Sequence, residues 1–127
     1  MSRQLEYLNS IIQRIQRIQQ YVEGGQAAFL ASPLIQDAVI RNLEIIGEIS
    51  RHRLSEDVKR LRPDIAWRQV GDFRNTLIHE YDSVDLDIVW NAIDKDLPSL
   101  SLAVSAMIIL LQNSIADESK DSHEPTD

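Results

Sequence analysis

Apolar side chains return every three or four positions through the first part of the chain, at Leu5, Leu8, Ile11, Ile12, Ile15, Ile18 and Val22. That spacing draws one apolar stripe along a helix of about 20 residues ending at Gly24-Gly25, and a stripe of this kind must be covered by another element. The pattern repeats at Leu34, Ile35, Ala38, Val39, Leu43, Ile46 and Ile49, predicting a second helix to about His52. Ser32-Pro33 opens it as an N-cap followed by a proline at the first helical position, where the missing amide costs nothing. Ser55 is placed to cap a short third segment through Arg60, which Pro63 stops. Asp64 is the next expected cap, for a fourth helix bearing Ile65, Trp67, Val70, Leu77 and Ile78. Asp85 opens a fifth with Leu86, Val89, Trp90, Ile93 and Leu97; Pro98 bends or restarts it, and Leu100 to about Ala116 forms the last. No stretch alternates with period two and no Asn-Gly or Asp-Gly hairpin signal occurs. The expected fold is an all-α helical bundle with short connections.

With 127 residues the chain has the length of one domain. Residues 1–116 are expected to form the bundle, and 117–127, acidic and without a large apolar side chain, a disordered tail. The absence of cysteine excludes disulfides, thiolate metal sites and cysteine nucleophiles. The amphipathic N-terminus lacks a signal-peptide core, and the apolar run Leu100–Leu111 is shorter than the roughly 20 residues a bilayer requires. The expectation is a cytoplasmic protein with no membrane partner.

The net charge of −7 argues against an indiscriminate coat for nucleic acid, but the charge is unevenly placed. Residues 1–79 hold 11 basic and 9 acidic side chains, residues 80–127 only 2 basic and 11 acidic. The strongest local attractor for an anion, Arg51 through Arg74, leads directly into the octapeptide Arg74-Asn-Thr-Leu-Ile-His79-Glu-Tyr81. Arginine holds phosphate oxygens through a fork that never deprotonates, and histidine both takes and gives a proton near neutral pH. Five residues place Arg74 and His79 about 140° apart around an ideal helix and about 7.5 Å apart along it. Either the helix loosens before His79, or long side chains converge from two copies of the motif in one cleft. Asn75, four residues before His79, shares its face and could orient the ring. No metal-ligand spacing occurs: there is no His pair four apart, and Asp82, Asp85 and Asp87 read as turn and capping residues. Trp67 and Trp90 lie on apolar stripes and are expected in the core rather than as stacking platforms for bases.

The Arg-x4-His-x-Tyr arrangement of Arg74, His79 and Tyr81 resembles the signature of HEPN-domain proteins, in particular the HepT toxin group. The blocks Ala38–Glu48, Pro63–Arg68 and Val84–Trp90 with Asp96-Leu-Pro98 are similar to that group in order and spacing, so the likeness spans about residues 1–112. The resemblance implies a HEPN-like antiparallel bundle, paired as a symmetric homodimer with the active-site cleft at the interface. It implies a metal-independent endoribonuclease, needing no cofactor and cutting transfer or messenger RNA, that serves as the toxin of a toxin–antitoxin pair. Arg74 and His79 become its catalytic pair and Asn75 a supporting residue. Tyr81 becomes the acceptor of AMP from an MntA-like nucleotidyltransferase antitoxin. The alternative is a non-catalytic HEPN module that binds a nucleotide or presents Tyr81 to such a transferase, with Arg74 and His79 only holding phosphate. A helix bundle serving interaction alone is the third reading.

Overall fold

Helices α1 (Ser2–Tyr21) and α3 (Pro33–Glu48) form the middle of the molecule, because their apolar stripes face each other and each has a second neighbour. α1 also packs against the C-terminal helix α7 (Leu97–Ser122), and α3 against α5 (Trp67–His79). The computed structural model describes residues 2–79 and 84–122, with side chains over 3–73 and 84–117. Among the described residues there is no strand.

The predicted stripe of α1 forms the heart of the core, since Leu8, Ile11, Ile15 and Ile18 are wholly excluded from solvent. Val39 and Ile46 meet them from α3, and Val104, Met107 and Leu111 from α7. Complete burial of such a side chain stabilises the fold by about 1.5–3 kcal/mol. The buried polar groups are satisfied: Asn42 Nδ2 donates to the Ala38 carbonyl at 2.8 Å, and its Oδ1 accepts from Arg14 of α1 at 3.4 Å. Trp67 is buried as expected, and Trp90 is half-buried with its ring 5.5 Å from that of Phe29.

The capping serines behave as their positions predict. Ser32 Oγ accepts the Ile35 amide at 3.2 Å, and Ser55 Oγ accepts the Val58 amide at 3.2 Å to open the short α4 (Glu56–Lys59). Asp85 Oδ1 accepts the amides of Asp87 and Ile88 and opens α6 (Leu86–Asn91).

Other elements depart from expectation. A helix α2 (Gly25–Ala31) follows α1 after a turn in which Gly25 takes φ +87°, a left-handed conformation suited to glycine. α2 has no apolar stripe of its own and is anchored by the fully buried Phe29. α5 begins at Trp67 and not behind an Asp64 cap, because the Asp64 carboxylate is taken by Arg62 in two hydrogen bonds of 2.8 and 2.7 Å. The helix carrying Pro98 does not restart there: α6 widens into a π turn, Ala92–Asp96, and runs on as α7. The Leu97 amide bonds to the Ala92 carbonyl five residues back, so the ladder is reset just before the proline that cannot donate. α3 ends in the same way, through a π turn at Ile49–Arg53. At the C-terminus α7 continues to Ser122, beyond the expected stop near Ala116, because no glycine or proline interrupts the chain between Pro98 and Pro125.

Within the joined helix, the 32 residues Leu86–Asp117 have a mean hydropathy of 1.7 in their most apolar window. By length and composition alone it could cross a membrane, which the isolated run Leu100–Leu111 could not. Its inner side, however, is committed to the core through Val89, Ile93, Leu97, Leu100, Val104, Met107 and Leu111.

Candidate functional site

Arg74 to His79 of the octapeptide form the C-terminal end of α5, and that helix is positioned by its contacts with α3 and with the π turn at the end of α3. Gly71 permits the approach, for a β-carbon at this position would lie 3.0 Å from Arg51 Cβ. Arg51 then crosses to α5 and binds Asp72, Nη1 to Oδ1, at 3.0 Å. The loop ahead of α5 is tied down by Trp67, whose indole N–H donates to the carbonyls of Lys59 and Arg62 at 3.2 Å each. At the far end of the π turn, Gln4 of α1 donates to the Arg53 carbonyl at 3.1 Å and accepts the Ser55 amide at 2.8 Å. The motif helix therefore rests on a platform fixed at both ends.

Arg74, Asn75 and His79 are all on α5, which remains α-helical through His79; their side chains lie outside the described residues. Tyr81 lies outside them altogether. The unbroken helix decides one question left open by the spacing: the backbone does not loosen before His79, and the rotation of about 140° between the two positions persists. Asn75 and His79 share a stripe of the helix, and Arg68 and Asp72 precede them on it at the same three- and four-residue spacing.

Beside the first half of α5 is a cavity of about 470 Å³, lined by the cations Arg51, Lys59, Arg60 and Arg68 with the carboxylates Glu56 and Asp72. The basic stretch of the sequence announced cations here, but not that three separate elements would bring these four together. Lys59 pairs with Glu56 at 3.6 Å and Arg60 with Asp57 at 2.5 Å. Nearby, the hydrogen-bonded Arg62 guanidinium holds the exposed Asp64 carboxyl below the usual carboxylate range. A second, more apolar groove of about 580 Å³ runs between α5 and the α6–α7 helix, lined by Ile65, Val70 and Phe73 on one side and Ile88, Leu97 and Leu100 on the other. Among the described residues no three His, Asp or Glu side chains gather as metal ligands would.

Fold and site together define an all-helical bundle that carries an Arg-x4-His helix beside a cationic cavity. The comparisons specify it further. The family model described as "Ribonuclease HepT-like" matches residues 11–107, and the chain belongs to this HepT-like family. It is 42% identical over 96 residues to "Probable ribonuclease HepT" of Thermococcus cleftensis, covering 75% of this chain and 86% of that protein. It is 31% identical over 103 residues to a candidate RNase of Caldanaerobacter subterraneus subsp. tengcongensis, covering 80% and 91% respectively. A Methanocaldococcus jannaschii protein named for both a gamma-glutamylcyclotransferase and an RNase is 37% identical over 95 residues, which span 74% of this chain but 42% of that longer protein. No solved structure matches the chain.

Proposed function

We propose that this protein is an endoribonuclease toxin that cleaves RNA without a metal ion, using Arg74 and His79 of a symmetric homodimer. The observation that carries the reading is the intact Arg74–His79 pair on one continuous helix of a chain that belongs to the HepT-like ribonuclease family. In this chemistry the 2′-hydroxyl of the substrate attacks the adjacent phosphorus. The 2′-O–P bond forms, the bond to the 5′-oxygen breaks, and a cyclic phosphate and a free 5′-hydroxyl remain. The 2′ proton needs a base, the departing oxygen an acid, and the pentacoordinate phosphorus a cation. His79 does the proton work and Arg74 holds the phosphate. DNA, lacking the 2′-hydroxyl, is not cut.

Two features support the dimer. A rotation of about 140° keeps Arg74 and His79 of one copy from meeting squarely at one phosphate, whereas a two-fold axis along the groove adds a second arginine and a second histidine. Apolar surface is also left uncovered in the groove, where Ile88 is 53% exposed.

Tyr81 is the off switch of this reading. AMP transferred to its hydroxyl by an MntA-like nucleotidyltransferase places a bulky anion two residues from His79, filling the phosphate site and repelling RNA. The test is to incubate the protein with cellular RNA in EDTA and map the ends. Cyclic-phosphate ends are expected, absent with Arg74→Ala and His79→Ala; cleavage that requires magnesium, or that both variants retain, would overturn the mechanism. Intact mass after treatment with the transferase and ATP should rise by whole AMP units in the wild type and stay constant in Tyr81→Phe.

A further inference from the structure

The described residues that line the cavity beside the first half of α5 precede the motif in the chain, and nothing in the cleavage chemistry requires them. Its four cations and two carboxylates give a net charge of +2 on a chain whose total is −7, so an anion approaching this protein is drawn here against the average field. Two of the cations, Arg60 and Arg68, are open to a ligand, while Arg51 is paired with Asp72 and Lys59 with Glu56. Arg68 is exposed and has no ion pair among the described residues, and the Arg60–Asp57 pair leaves both side chains over 70% exposed. Exposed pairs of this kind are weak and easily exchanged for a phosphate. The framework beneath them is rigid, because Trp67 is held by two carbonyls and Gly71 is packed on Arg51. A volume of about 470 Å³ accommodates a phosphate with its sugar, within the range of small-ligand sites.

Register gives the cavity its direction. Arg68 shares a stripe of α5 with Asn75 and His79, and eleven residues of helix separate Arg68 from His79 by about 16 Å. That is the distance between the cut phosphate and another phosphate a few nucleotides along the same strand. We propose that the cavity formed by Arg51, Lys59, Arg60 and Arg68 is a backbone-phosphate subsite that holds the RNA strand at a distance from the bond cleaved at Arg74 and His79. This rests on the RNA-cleavage reading. The subsite reads no bases, since guanidinium and ammonium groups on a phosphate act on every sequence alike.

The test separates the subsite from the chemistry by measuring binding in full-length His79→Ala, which leaves RNA intact. Labelled single-stranded RNA is titrated at several salt concentrations into this protein, into the same protein with Arg60→Glu and Arg68→Glu, and into a control with Arg41→Glu. Arg41 is exposed on α3 and does not line the cavity. The cavity variant should bind at least tenfold more weakly, with a slope of log affinity against log salt flatter by about 0.7 for each phosphate no longer neutralised. In the protein with His79 intact, the same two substitutions should raise KM and leave kcat unchanged. Both side chains are exposed, so an unchanged helical melt shows that the fold persists. Wild-type affinity and slope in the cavity variant overturn the subsite, even if the intact protein cuts RNA. If AMP is titrated into the same three proteins, loss of AMP binding in the cavity variant with unchanged RNA binding also overturns the subsite and makes the cavity a mononucleotide site. An intact protein that binds RNA through the cavity but never cuts it overturns the cleavage reading instead.

Discussion

Gly71 is the residue through which the backbone of α3 bears most directly on the motif. Alanine in the middle of a helix gains about 1 kcal/mol over glycine from backbone entropy. Here that gain meets a contact of 3.0 Å with Arg51 Cβ, an atom that cannot move without its helix. Overpacking costs about 1–3 kcal/mol, so Gly71→Ala should destabilise slightly in thermal melts and reduce cleavage more than stability, because α5 must shift to admit the methyl group. Asp64 makes a prediction of the opposite kind, electrostatic and exposed. Its carboxyl is held low by the hydrogen bonds from Arg62. A depressed folded-state pKa adds stability above the unfolded carboxylate pKa, and that addition is lost as the pH falls through the folded value. Asp64→Asn should therefore melt below the wild type at neutral pH, and the two should converge under acid conditions. Because the pair is solvent-exposed, the gap should narrow in high salt.

At the scale of the elements, the parts legible in the sequence are those that local chemistry determines. The stripes of α1 and α3 and the caps Ser32, Ser55 and Asp85 need only spacing and one side-chain oxygen each, and they are where the residues place them except Leu34, which in the first turn of α3 is 81% exposed. α2 is not legible because seven residues with a single buried anchor, Phe29, have no period to read. Both π turns are equally hidden, because an extra residue in a turn is set by what the next helix must pack against, not by the residues inside it. The Arg-x4-His motif is plain as a string, yet the cavity is not. Its cations come from the π turn, from α4 and its end, and from α5, and only the packing at Gly71 and Trp67 unites them. Asp85 offers a test at this scale. It supplies the cap at the start of the helix that runs into α7, and Asp85→Ala should cost about 1 kcal/mol in denaturant unfolding, with Asp85→Ser recovering most of it.

For the whole molecule, the decisive relation is between the continuity of α5 and the apolar surface beside it. An unbroken helix puts the arginine and histidine positions of one copy on different faces, and in the proposed dimer the groove of about 580 Å³ next to Val70 and Phe73 would be where a second copy buries apolar area. If the reacting pair is drawn from two subunits, two inactive variants can complement each other. In a mixture of Arg74→Ala and His79→Ala subunits, half the dimers are mixed, and each holds one arginine and one histidine on opposite copies. The mixture should recover about a quarter of wild-type cleavage although neither variant cuts alone. Exchange between subunits is essential to that recovery. Adding Ile88→Glu, which puts a charge into the half-exposed wall of the groove, should abolish it and yield monomers in sedimentation. Leu102→Glu, on the outer side of α7, should leave both dimer and complementation intact. A mixture that stays inactive while sedimenting as a dimer would locate the pair within one copy, and the side chains of Arg74 and His79 would then have to reach each other across the helix that separates them.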